Sequence, residues 1–125
     1  MVSYFIIGIG GFLGAVARYA LSTAIQRIST LPLPLGTLTV NLLGCFEIGC
    51  LSRVFTSRPS AAPEYRLFLV IGFFGSFTTF STFGKETLDL LNDGKYGLAV
   101  INASVSVIAG IGSVAFGWFC ARSAV

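Results

Sequence analysis

The sequence predicts an all-α integral membrane protein with four transmembrane helices, the third of them broken near its middle. Hydrophobic residues make up 54% of the 125 residues and charged residues only 10%, against about a quarter charged in soluble domains. A spanning helix needs roughly 20 apolar residues, and apolar runs of that order recur along the whole chain. We expect one multi-pass transmembrane domain over residues 1–125 in a cell membrane, with spans at 4–25, 36–55, 67–91 and 96–120.

The first span carries glycines suited to close helix packing. Gly10 and Gly14 form a GxxxG arrangement, which lets two helix backbones approach each other in lipid. Arg18 follows one turn later, and an arginine there is costly unless it snorkels to the interface or faces water or a partner. The sequence leaves both readings of Arg18 open.

The second span contains two polar side chains, Asn41 and Glu47. An amide in an apolar run must find partners or line a polar cavity. Glu47 lies six positions further along the helix, so at about 100° per residue it points to a different face. We therefore expect Glu47 to lie outside the environment of Asn41, either protonated, paired or at an interface.

The third span contains the stretch Gly72–Phe83, GFFGSFTTFSTF, with five hydroxyl side chains and five phenylalanines. Glycine and clustered threonine both weaken a helix, and we predict a break at residues 75–79. Irregular backbone at membrane depth is tolerated only when it is buried in protein or lines a wet cavity. This stretch is therefore the predicted functional centre, and helical spacing after the break places Phe80 and Phe83 on one face.

The fourth span, residues 96–120, is rich in small residues and includes Asn102 and Ser106 four positions apart. This spacing predicts a polar stripe on one side of the helix. After the break, Thr79, Thr82 and Glu86 share a face in the same way. Polar groups from two spans could thus face one cavity.

Composition excludes several classes of function. Histidine is absent and the three cysteines fit no zinc or redox spacing. The chain has no phosphate-binding loop and no paired catalytic carboxylates, so we do not expect an enzyme. The net charge of +3 comes from scattered cations, which argues against a nucleic-acid partner.

An ion pathway fits these residues better. Asn41, Ser106 and the hydroxyls of the broken span supply hydrogen-bond donors. Phe80 and Phe83 supply ring edges that carry partial positive charge, against which a small anion can sit. Donors and ring edges without a buried cationic cluster predict a path that binds anions weakly. Plain packing between helices is the alternative role for the phenylalanines.

Positive charges hardly distinguish the two ends of the bundle. One end holds Arg53, Arg58, Arg66 and Arg122, and the other holds Arg27 and Lys95, with Arg18 and Lys85 if they reach it. Since lysine and arginine in short loops set the orientation of a membrane protein, this bias is weak. The sequence is compatible with insertion in both orientations.

Two other functions remain open from the residues alone. One is a proton-coupled small-cation exporter of the dual-topology four-helix type, with Glu47 as its exchange group. The other is a purely structural membrane partner, which gives Asn41 and the hydroxyl cluster no role.

Three segments of the chain resemble the Fluc (CrcB) family of fluoride channels. They are Gly14-Ala15-Val16-Ala17-Arg18-Tyr19, Gly36-Thr37-Leu38-Thr39-Val40-Asn41 and the stretch Gly72–Phe83. The resemblance covers essentially the whole chain, in order. It implies passive fluoride export that relieves fluoride toxicity, and an antiparallel homodimer with dual topology and two pores selective for fluoride over chloride.

The resemblance also implies roles for individual residues. The backbone carbonyls of Gly75 and Thr78 are expected to hold a structural sodium ion on the dimer axis. Arg18 and Glu86 are expected to be vestibule or structural residues. The fluoride pathway is expected to include Asn41, Thr79, Phe80, Ser81, Thr82, Phe83 and Ser106.

The chain departs from the family pattern at a few positions. Ser76 stands where a second glycine is common, which tightens the room around the cation site. Asn102 stands where an aromatic residue occurs, and Gly110 where a serine occurs. Glu47 has no counterpart in the family pattern.

Overall fold

The computed structural model describes residues 1–58 and 63–124, and every regular element within them is helical. Segments that are long and apolar enough to cross a membrane are Val2–Ile28, Leu35–Ser57, Pro63–Asn92 and Tyr96–Cys120. This confirms an all-helical chain with four candidate membrane spans. The chain is a multi-pass membrane protein.

We name the helices in chain order. Helix α1 is Val2–Ile28 and α2 is Leu35–Ser57. Helix α3 covers residues 63–77, in which Leu67–Phe74 form a π-helix and Gly75–Phe77 a last α-helical turn. Helix α4 is Phe80–Asn92, α5 is Tyr96–Cys120, and a 3₁₀ turn follows at Ala121–Ala124. The first three helical segments extend beyond the predicted spans, because hydropathy identifies only the part of each helix that is buried in lipid.

Helices α1 and α3 meet through glycines. A Cβ atom on Gly10 would lie 2.5 Å from the Phe68 carbonyl oxygen, and one on Gly14 would overlap the Phe73 carbonyl. On the opposite helix, a Cβ on Gly72 would lie 2.8 Å from the Ile7 carbonyl oxygen. The GxxxG arrangement in α1 therefore brings the two backbones into direct contact.

Helices α2 and α5 are joined in the same manner. A Cβ on Gly49 would overlap the Val114 carbonyl, and one on Gly117 would overlap the Phe46 carbonyl. Close backbone approach thus joins α1 with α3 and α2 with α5, and Gly36 joins α2 to α1, since a Cβ there would overlap the Ser22 carbonyl. Helix α4 joins α5 through the short turn at residues 93–95, buries Leu90, and is also attached to this frame by polar side chains described below.

The third span is interrupted at Thr78 and Thr79. Both residues are extended, with φ −84° and ψ 155° at Thr78 and φ −150° and ψ 116° at Thr79. The interruption falls inside the predicted window of residues 75–79. It follows directly on a π-helical segment, an irregularity that is frequent at functional sites.

Candidate functional site

Asn41 reaches the break between α3 and α4 from the side of α2. Its Nδ2 donates to the Thr79 carbonyl oxygen at 3.1 Å, and the Thr79 N–H donates to its Oδ1 at 2.7 Å. An amide has two donor hydrogens and one acceptor oxygen, so one N–H of Asn41 is left for another partner. Asn41 thereby satisfies both backbone groups of Thr79 that a continuous helix would have paired.

Other freed backbone groups at the break also find partners. Arg18 Nε donates to the Ser76 carbonyl oxygen at 3.1 Å. The N–H and the hydroxyl of Thr78 both donate to the Phe74 carbonyl, at 3.1 and 3.0 Å. Arg18 therefore faces a protein partner, which decides between the readings that the sequence left open. None of these bonds reaches the carbonyl oxygens of Gly75 or Thr78, and Gly75 is exposed.

The hydroxyls after the break form one connected cluster at the start of α4. Thr79 Oγ1 accepts from the Thr82 N–H at 3.2 Å and donates to Thr82 Oγ1 at 3.0 Å. Ser81 Oγ lies 3.3 Å from the same Thr79 oxygen. Thr79 is therefore the N-cap of α4, and its hydroxyl orders the side chains of Ser81 and Thr82.

A cavity of about 250 Å³, the inner cavity, opens beside this cluster. It brings together several of the predicted pathway residues, namely Asn41, Thr79, Phe80, Phe83 and Ser106. Its walls also include Thr78, Cys45, Ile48 and Val107. Cys45 and Ile48 were missed from the sequence, although they lie four and seven positions after Asn41 and so continue its helical face.

The five phenylalanines of the stretch divide into two groups. Phe73, Phe74 and Phe77 pack against one another, with ring centroids 4.9 to 6.1 Å apart. Phe80 and Phe83 form a separate tilted pair at 5.4 Å and both line the inner cavity. Phe80 is 81% exposed in the single chain. The first group fills space between helices, and the second is free to contact a small ion.

A larger cavity of about 590 Å³, the outer cavity, lies on the other side of the α4 N-terminus. Its walls include Arg18, Thr37, Thr82 and Glu86. Thr37 Oγ1 donates to Glu86 Oε1 at 2.7 Å. The other carboxylate oxygen, Oε2, is buried and has no hydrogen-bond partner among the described residues.

The hydroxyl cluster joins the two cavities. Thr79 lines the inner cavity and Thr82 lines the outer one, and their hydroxyl oxygens are 3.0 Å apart. The predicted shared face of Thr79, Thr82 and Glu86 is thus divided between two compartments. Glu86 lines the outer cavity beside Thr82, but an ionised carboxylate only accepts hydrogen bonds, so the two hydroxyls are the groups here that could donate to an anion.

Comparison with known proteins decides the family. A family model described as CrcB-like protein, Camphor Resistance (CrcB), matches residues 5–118. The chain belongs to the CrcB family. This confirms the resemblance in the sequence, and full-length relatives of the same kind are similar to it.

Several relatives that are similar to this chain are named fluoride-specific ion channels. The Fluoride-specific ion channel FluC of Solibacter usitatus is 40% identical over 121 residues, which cover 97% of this chain and 99% of the relative. FluC of Chlorobium phaeobacteroides is 42% identical over 120 residues, or 96% and 92% of the two chains. FluC of Nitratiruptor sp. is 45% identical over 109 residues, or 87% and 84%.

Two departures from the CrcB pattern lie in different surroundings. A Cβ on Gly110 would meet Cys45 Sγ at 3.8 Å, an ordinary van der Waals distance, so the structure shows no steric need for glycine at this position. Ser76 is half-buried, and its hydroxyl lies against Gly11 of α1, where a Cβ would approach it to 3.1 Å. The Ser76 side chain therefore faces α1.

Glu47 lies apart from this CrcB site. Its side chain is exposed in the chain, and it lines neither the inner nor the outer cavity. This agrees with the helical-wheel expectation that Glu47 and Asn41 face different environments. The geometry therefore gives a proton-coupled exporter no enclosed exchange site at Glu47.

Asn102 and Ser106 both face α4, as the predicted polar stripe requires, but they meet different groups there. Ser106 lines the inner cavity, whereas Asn102 is 3% exposed and donates from Nδ2 to Thr87 Oγ1 at 2.9 Å. Thr87 was not singled out from the sequence, because a threonine on a helix that also carries charged residues gives no signal of an interhelical bond.

Proposed function

We propose that this chain is a fluoride-selective channel that lets fluoride leave the cell passively. The observation that carries the proposal is family membership with full-length relatives named as fluoride-specific ion channels. The site chemistry supports it, since the inner cavity combines the Asn41 amide, hydroxyls and two aromatic rings. Such a lining can hold a small anion by N–H, O–H and ring edges without a fixed positive charge.

The proposed path runs from the outer cavity along the hydroxyl cluster to the rings. Arg18 and Glu86 line the outer cavity, where the path begins. The ion then passes from the Thr82 hydroxyl to the Thr79 hydroxyl, whose oxygens lie 3.0 Å apart. Phe80 and Phe83 then present ring edges, while Asn41 and Ser106 offer hydrogen-bond donors. In acidic surroundings fluoride enters a cell as HF and ionises in the less acidic interior, where the ion is trapped, so a conductive exit would drain it and relieve its toxicity.

The channel is proposed to be an antiparallel homodimer. Phe80 stands 81% exposed beside a cavity that the single chain leaves open. A second copy of the chain would cover the open side of the cavity. The weak bias in the distribution of cations permits the two copies to insert in opposite directions. Each dimer would then contain two equivalent pathways related by symmetry.

A structural sodium ion is proposed at the break. The support is the pair of carbonyl oxygens, of Gly75 and Thr78, which accept none of the hydrogen bonds described above at the break, together with the exposure of Gly75. Hard cations bind carbonyl oxygen. Two carbonyls from each copy would supply the ligands on the dimer axis.

The rings provide the direct test of the pathway. Phe80→Ile and Phe83→Ile should each lower fluoride efflux from proteoliposomes by about tenfold or more, because the aliphatic side chain lacks the positive ring edge. The matched control is Phe116→Ile on α5, since Phe116 packs against Phe46 rather than lining either cavity. Chloride efflux is measured in parallel. Parental fluoride efflux in both ring variants, with intact dimers, would show that the rings only pack.

A further inference from the structure

Asn102 begins a chain of hydrogen bonds that ends at the residue carrying a cavity ring. Asn102 Nδ2 donates to Thr87 Oγ1 at 2.9 Å, and Thr87 Oγ1 donates to the Phe83 carbonyl oxygen at 2.8 Å. Asn102 is 3% exposed. A buried amide without partners would be costly, so this bond strongly constrains how α4 and α5 lie against each other.

The spacing places this bond next to the inner cavity. Thr87 is four residues after Phe83 on α4, and Asn102 is four residues before Ser106 on α5, so each lies one helical turn from a cavity residue. Phe83 and Ser106 both line the inner cavity. The Asn102–Thr87 bond therefore joins α4 and α5 one helical turn away from the residues that line the inner cavity.

Helix α4 is short, and the extended residues Thr78 and Thr79 separate it from α3, so side-chain bonds to neighbouring helices help to fix its N-terminal half. Its polar attachments to the rest of the bundle include Asn41 to Thr79 and Thr37 to Glu86, both from α2. The bond from Asn102 attaches α4 to α5 instead. The turn at residues 93–95 holds only the far end of α4 against α5, so loss of the Asn102–Thr87 bond would let the end of α4 that carries Phe83 shift relative to Ser106.

We propose that Asn102 is a positioning residue that acts through Thr87 to set the placement of the Phe83 ring opposite Ser106. The proposal rests on the proposed fluoride pathway, and assigns a role to a position where this chain departs from its family pattern. Asn102 touches the ion at no step. Asn102 affects the rate of fluoride passage by fixing the position of α4, which carries the Phe83 ring.

The test separates positioning from mere packing by measuring stability and fluoride flux on the same variants. Thr87→Val keeps the shape but removes the hydroxyl, and should lower fluoride efflux by about fivefold or more because Asn102 is left unpaired. Thr87→Ser keeps the hydroxyl and should conduct like the parent. The double variant Asn102→Leu/Thr87→Val should regain thermal stability, since two apolar partners replace a polar pair, but its flux should stay low.

Ring placement is read out independently by fluorine NMR of 4-fluorophenylalanine at position 83. Thr87→Val should shift or broaden that resonance and leave 4-fluorophenylalanine at position 116 unchanged. If Asn102→Leu alone fails to assemble, the comparison of Thr87→Val with Thr87→Ser still decides the question.

Three outcomes are distinguishable. Parental flux and an unchanged resonance in Thr87→Val would overturn the positioning role. Recovery of both stability and flux in the double variant would also overturn it, because the pair would then act by packing alone. Absence of fluoride flux in the parent protein would instead contradict the proposed function.

Discussion

Asn41 pairs with the backbone at the break through both polar groups of its side-chain amide. One side-chain amide receives the Thr79 N–H and donates to the Thr79 carbonyl, so two groups that would otherwise lie unpaired in an apolar region are satisfied. The sequence predicts that Asn41 donates to the permeating ion. Its remaining N–H leaves that prediction open, and the backbone bonds add a second role that fixes the site.

We therefore expect Asn41→Asp to reduce fluoride flux by about tenfold or more. An aspartate cannot donate to the Thr79 carbonyl and places a negative charge against it, so the buried carbonyl loses its partner. Flux is measured from proteoliposomes. The control is Asn92→Asp, the same change at an exposed residue at the end of α4. If Asn41→Asp carries fluoride as fast as the parent and Asn92→Asp, Asn41 has no role in the pathway.

The break in the third span could be predicted from the sequence, whereas the hydrogen bonds that join the broken segment to neighbouring helices could not. Clustered threonines and glycines indicate a weak helix at residues 75–79, and the interruption lies at Thr78 and Thr79. The sequence does not reveal that Arg18 caps the Ser76 carbonyl or that Thr87 meets Asn102. Such bonds join helices whose relative rotation is set by packing, which local patterns do not encode.

The break should also make the dimer sensitive to sodium. If the carbonyls of Gly75 and Thr78 hold a cation, a bound ion stabilises the folded dimer over the unfolded chains by mass action. Purified protein should show a lower thermal unfolding midpoint when sodium is replaced by N-methylglucamine at equal ionic strength. Replacement by potassium separates a specific ion from a salt effect. An unchanged midpoint in all three solutions would contradict a structural sodium.

For the whole molecule, hydropathy was sufficient to predict the number of spans. Four helices are long and apolar enough to cross a membrane, and GxxxG spacing pointed to the α1 surface that packs on α3. The cavity walls could be predicted only in part. Asn41, Phe80 and Phe83 stand out by their chemistry, whereas Cys45, Ile48 and Val107 are ordinary residues that enter the wall through geometry.

Dual topology has a direct labelling test. In a background without Cys45, Cys50 and Cys120, a single cysteine is introduced either at Asp93, in the α4–α5 turn, or at Arg58, after α2. Both positions are exposed and lie at opposite ends of the bundle. An impermeant thiol reagent should label about half of each variant from either side of the membrane, because the weak charge bias admits both orientations. Labelling of each position from one side only would contradict antiparallel assembly.

The central claim, passive and selective passage of fluoride, is tested most directly by the reversal potential in a planar bilayer containing the purified protein. With fluoride at different concentrations on the two sides and chloride in equal excess, the potential should follow the fluoride gradient at about 59 mV per tenfold ratio, as for any single monovalent ion. A pH gradient should leave it unchanged, and Glu47→Gln should give the same value. A potential that follows chloride, or a flux that vanishes in Glu47→Gln, would contradict the account.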